Sequence, residues 1–157
     1  MFSAIFSLLL LGSLSSALPA AININGPMEK RMMDADTPQI GVWFPFNFTN
    51  VGVLIHPTLL VTASHPFYFA ITDLYCTGDN FILLVNETII HSTSGGAAVN
   101  CAIPGNMTDP DWAFNSGLYA TLNQTFPVGT YDLRLHVTRS PFTAGLAALK
   151  VGHLVTA

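Results

Sequence analysis

Hydrophobic and polar positions alternate with a period of two over much of the chain, the spacing of strands with one face in a core and one in water. Tyr131, Leu133, Leu135 and Val137 alternate with Asp132, Arg134 and His136, the cleanest such run. Phe67, Phe69 and Ile71 alternate with Tyr68, Ala70 and Thr72. Residues 81–85 are continuously apolar, which predicts a strand covered on both faces. Further strands are expected at 42–48, 51–56, 59–63, 88–92, 118–122 and 146–155. Pro57, Pro66, Pro104, Pro110, Pro127 and Pro141 fall in the gaps, where a residue without an amide hydrogen fits best. Helical signals are few. Asp109 is placed to cap one turn with Pro110 at its first position, and 141–148 is a second candidate weakened by Gly145. Eight or nine short strands at this spacing predict an all-β fold, an antiparallel β-sandwich of the jelly-roll kind. The long segment 92–117, rich in Gly and Asn, is where a functional loop is expected.

The first part of the chain follows another pattern. Residues 5–11 are apolar but too short to span a bilayer, and Ser15, Ser16 and Ala17 supply small residues after them. Residues 1–17 therefore read as a secretory signal peptide, although no Lys or Arg precedes the apolar core. Residues 18–31 read as a short propeptide ending at the dibasic pair Lys30 and Arg31. Residues 32–157 then form a single domain.

Composition fits that address. Of 157 residues, 9% are charged and 50% hydrophobic, which excludes a disordered tail. Five Lys and Arg with a net charge of -4 exclude nucleic acid as a partner, since phosphate recognition needs clustered cations. No later apolar stretch is long enough for membrane insertion. Asn47, Asn86, Asn106 and Asn123 each begin an Asn-x-Thr sequon, and glycans there would solubilise a surface poor in charge. Cys76 and Cys101 are the only cysteines, and an oxidising compartment makes one disulfide the default.

One block has a resemblance. Ile71 to Phe81 reads Ile-Thr-Asp-Leu-Tyr-Cys-Thr-Gly-Asp-Asn-Phe. Thr93-Ser94, Cys101, Asp109-Pro110-Asp111 and Gly129-Thr130-Tyr131-Asp132-Leu133 follow it. The series resembles a loosely defined group of small secreted fungal proteins. The resemblance implies a jelly-roll-like extracellular domain with one disulfide and carries no activity.

Candidate chemistry centres on acidic and aromatic residues. Asp73 and Asp79 flank Cys76, and a disulfide to Cys101 would draw the Asp109 and Asp111 turn toward them. Four hard oxygen ligands in that arrangement could hold Ca²⁺, otherwise no cofactor is implied. The competing reading gives Asp79 to the Gly78-Asp79-Asn80 turn and Asp109 to the helix cap. Paired carboxylates also serve glycoside hydrolysis, which needs an acid and a base facing one cleft. Trp112 and Tyr75, with Asp111 beside the first, are the candidate ligand-binding residues, because aromatic faces stack on sugar rings. Trp43 and Tyr119 are further aromatic candidates, and core packing is the alternative role. The five histidines show neither i,i+2 nor H-E-x-x-H spacing, and no G-x-S-x-G elbow occurs. Three functions remain. The first is a secreted, non-enzymatic binding protein for an extracellular glycan, a cell-wall polymer or a host protein. The others are a small carbohydrate-active enzyme and a structural wall component.

Overall fold

The structure is a computed structural model and describes residues 20–23, 39–49, 51–52, 54–93, 99–101 and 109–154. The signal peptide, the pair Lys30 and Arg31, and the sequon at Asn106 lie outside the described residues.

Among the described residues, nine strands and one short helix follow in chain order: β1 (Ala20–Asn23), β2 (Phe44–Thr49), β3 (Leu54–Ala63), β4 (Phe67–Asp73), β5 (Asn80–Val85), β6 (Thr88–Ser92), α1 (Pro110–Asn115), β7 (Thr121–Phe126), β8 (Gly129–Arg139) and β9 (Ala144–His153). One sheet has the order β1-β3-β8-β5-β6 and the other β2-β9-β4-β7. Every pairing is antiparallel except that of β1 with β3. With β1 set aside, two four-stranded sheets remain, 3-8-5-6 and 2-9-4-7. From β2 onward the chain changes sheet at every connection but the β5–β6 hairpin, the topology of a jelly roll.

The sequence periodicity sets which face is buried. Phe67, Phe69 and Ile71 from β4 meet Phe81 and Leu83 from β5, with Leu133, Leu135 and Val137 from β8. Phe46 and Phe48 of β2 and Leu149 and Val151 of β9 complete the layer. Rings interlock there: Phe48 meets Phe81 edge-on at 5.5 Å, and Phe67 stacks on Phe126 at 5.0 Å. Each fully buried Phe or Leu contributes roughly 1.5–3 kcal/mol.

Several expectations need revision. Residues 81–85 are not covered on both faces: Phe81, Leu83 and Val85 are buried, whereas Ile82 and Leu84 are half-exposed. The strand is internal to its sheet in the hydrogen-bonding direction, but no second layer covers that outer face among the described residues. The strands expected at 51–56 and 59–63 are one strand, β3, whose register with β8 shifts between Ile55 and Leu59. That irregularity spans Pro57, which cannot donate to a ladder. The strand expected at 118–122 begins later, as β7 at Thr121. The helix candidate at 141–148 gives way to β9, because pairing with both β2 and β4 outweighs a weak local propensity. β1 falls inside the segment read as a propeptide.

Candidate functional site

The chemistry gathers around the C-terminal end of β4 and the segment that follows it. Cys76 bonds to Cys101, with Cα atoms 4.5 Å apart. An isolated bridge supports the link: the Thr77 amide donates to the Asn100 carbonyl at 3.2 Å, and the Asn100 amide donates to Thr77 Oγ1 at 2.9 Å. Gly78 turns the chain with φ of 122°, a conformation that disfavours any side chain. This turn brings Asp79 back beside Asp73.

Both carboxyls are buried, Asp73 to 0% and Asp79 to 2% exposure. The backbone amide of Tyr75 donates to Asp73 Oδ1 at 3.3 Å. Burial, and then the charge of Asp79, push the Asp73 carboxyl up to about 8, against backbone amides of Tyr75, Leu74 and Asp79 that favour its charged form. Burial raises Asp79 as well, opposed by hydrogen bonds from the Ser140 and Asp73 side chains. A hydrogen bond between two carboxyls requires a proton on one of them, and burial favours the protonated form of both. Oδ2 of Asp73, Oδ1 of Asp79 and Oδ1 of Asn80 are buried without a protein donor, so a proton held by the pair relieves a real electrostatic cost. Gly145 makes room for the arrangement: a Cβ at that position would meet the Phe48 ring and come within 2.8 Å of Asp79 Oδ2.

Asp109 and Asp111 do not join them. Asp109 Oδ1 accepts the Trp112 amide at 3.0 Å and caps α1, the helix foreseen from Asp109 and Pro110. Asp111 Oδ1 accepts the Trp43 indole N–H at 2.7 Å and lies 3.6 Å from Lys150 Nζ. The same ammonium sits 5.3 Å from the centre of the Trp43 ring. The four-carboxylate Ca²⁺ site is therefore not assembled. No cluster of three or more His, Cys, Asp or Glu suited to a metal occurs among the described residues.

α1 packs on the outer face of the sheet that contains β4. Ala113 and Tyr119 join Leu74 and Ala148 in a second apolar cluster, with Trp43 and Leu146 against it. Anchored in this way, α1 holds Trp112 at 39% exposure, its ring edge-on to Tyr119 at 6.1 Å. Tyr119 itself is buried. Tyr75, next to Leu74 in the chain, is 49% exposed and meets the exposed Phe142 ring at 6.4 Å. Each of the two expected aromatic ligands thus has a partner ring, Tyr119 for Trp112 and Phe142 for Tyr75.

Sequence reasoning missed Lys150 and Phe142. Lys150 shares the outer face of β9 with Ala148, but nothing in its local sequence links it to Asp111 thirty-nine positions earlier. Phe142 follows Pro141 in a turn, a position where an aromatic ring has little reason to be unless it packs on something.

The fold and these features define a jelly roll with one disulfide and an exposed, braced aromatic surface. No family model, curated protein or solved structure matches the chain.

Proposed function

We propose that this chain is a secreted glycoprotein of fungal type. It acts as a non-enzymatic binding protein for a cell-wall or other extracellular glycan, with Trp112 and Tyr75 as its contact residues. The observation that carries the reading is the exposure of Trp112 on a helix that is fixed at several points. Its cap, the Asp111–Trp43–Lys150 contact and the Ala113 cluster hold the indole in one place while leaving it in water. A large ring held so gives up little further freedom on stacking against a sugar.

Other features support the extracellular address. The disulfide suits an oxidising compartment. Asn47, Asn86 and Asn123 are all exposed, as glycosylation requires, and none lies on α1 or on the β4–β5 connection. No helix among the described residues is long and apolar enough to cross a membrane. The buried Asp73–Asp79 pair does not favour the hydrolase alternative, because a general acid must reach the glycosidic oxygen and these carboxyls lie beneath the surface.

The test is retention of the purified protein on insoluble cell-wall polysaccharides, with and without chelator. Retention is expected to survive chelator, since Asp109 and Asp111 already have partners. Trp112→Ala is expected to weaken it at least fivefold, with near-UV circular dichroism and melting little changed. Retention that Trp112→Ala leaves intact, or no retention on any polysaccharide, would remove the proposal.

A further inference from the structure

The edges of the two sheets differ in a way that bears on association. A sheet edge offers unpaired amides and carbonyls to any passing strand, and secreted proteins need some defence of it. Among the described residues the order of strands leaves four edges: β2 and β7 on one sheet, β6 and the β1–β3 side on the other. Asn47 lies on β2, Asn123 on β7, and Asn86 in the turn that leads into β6. Each of those edges therefore carries or adjoins a sequon. β3 has none, and its ten residues contain no Asp, Glu, Lys or Arg. Its cover is β1, paired in parallel through Ala20↔Leu59, Ala21↔Leu60, Ile22↔Val61 and Asn23↔Thr62.

That cover lies upstream of Lys30 and Arg31 in the chain. The geometry points to β1 as a detachable edge strand. Cutting after Arg31 frees it, and the bared β3 edge then pairs with β3 of a second copy of this chain. Four residues of parallel pairing hold β1, and once the link is cut it no longer benefits from being part of the same molecule. A second β3 offers a longer partner. Two identical strands meeting antiparallel satisfy a twofold axis, the common symmetry of homodimers. Glycans at the other three edges leave this one as the edge open to pairing.

The inference rests on the secreted and processed reading, and two measurements keep the parts separate. Intact-mass analysis of the secreted product reports whether residues up to Arg31 are removed. In vitro, glycosylated Lys30→Ala/Arg31→Ala protein and the wild-type chain cut with a kexin-type protease are compared by light scattering across a concentration series. The uncut variant is expected to be monomeric. The cut protein is expected to lose the 18–31 peptide and reach twice the monomer mass. Leu60→Lys on β3 should return the cut protein to monomer, while Ile89→Lys on β6 should leave the dimer unchanged. The proposal is overturned if the cut protein stays monomeric or keeps its peptide in equal amount. It is equally overturned if the uncut variant already dimerises, or if Ile89→Lys rather than Leu60→Lys abolishes the dimer.

Discussion

Replacing Asp73 by Asn should change how stability depends on pH more than it changes stability itself. The Asp73 carboxyl titrates near 8 in the folded chain, against 3.8 for an unperturbed aspartate. A folded-state value above the unfolded one means that the native protein binds the proton more tightly. Its stabilising effect is complete below about pH 3.8 and is lost as pH rises toward 8. Four units at about 1.36 kcal/mol each set a ceiling of roughly 5–6 kcal/mol across that window. Relaxation and water entry around the ionised pair would reduce the observed figure to about half of that ceiling. Asp79, raised in the same direction, adds to the slope. An Asn at 73 keeps the shape and a donor toward Asp79 but cannot ionise. Urea unfolding followed by the fluorescence of Trp43 and Trp112, at intervals from pH 4 to pH 8, measures the effect. Wild type should lose about 2 kcal/mol or more from pH 5 to pH 8. Asp73→Asn should show a flatter profile, equal to wild type or slightly weaker near pH 4 and more stable near pH 8. A wild-type profile flat over this window, or an unchanged slope in the variant, would refute the reasoning.

Other substitutions probe separate parts of the argument. Gly145→Ala should destabilise by about 1–3 kcal/mol in the same urea assay, because the added methyl meets the Phe48 ring and crowds Asp79. Cys76→Ser with Cys101→Ser should cost about 3–4 kcal/mol by loop entropy, seen as a lower urea midpoint that reductant reproduces in the wild type. Asp109→Ala should cost about 1 kcal/mol through the lost cap and lower polysaccharide retention together with it, since Trp112 is carried by the same helix. Lys150→Met should leave stability within about 0.5–1 kcal/mol of wild type, because the ion pair with Asp111 is half in water, and a melting curve checks it.

How far the sequence could be read depended on whether the deciding contact was local. β4 and β8 show in the alternation of Phe67, Phe69 and Ile71 and of Tyr131 to Val137, because the pleat alone decides which side chains are buried. Asp109 and Pro110 mark α1 through a cap that reaches three residues forward. The disulfide follows from having two cysteines. Residues 81–85 misled because a run of apolar side chains does not reveal whether a second layer covers the outer face. The site was less legible. Asp73 and Asp79 flank Cys76 in the sequence within a set of four carboxylates, but nothing local shows that these two are buried, with Gly145 leaving room beside Asp79. The disulfide suggests that Asp111 approaches them, whereas Trp43, just before β2, and Lys150 on β9 hold it from positions distant in sequence. β1 carries no alternation to mark it as a strand, although its backbone pairs with β3.

The position of β9 has a consequence for synthesis. Among the described residues it is the one strand bonded to β2, and it separates β2 from β4, so this sheet stays open until β9 is available. β8 stands likewise between β3 and β5. A chain threaded N-terminus first into a secretory compartment would therefore present Asn47 on an unpaired segment, and Asn86 in the β5–β6 hairpin turn, before either sheet could close. Glycan addition at those positions would meet an incomplete sheet rather than a finished surface. The order of the strands would thus give a glycan-adding enzyme its opportunity, and would leave β9 to decide when that interval ends.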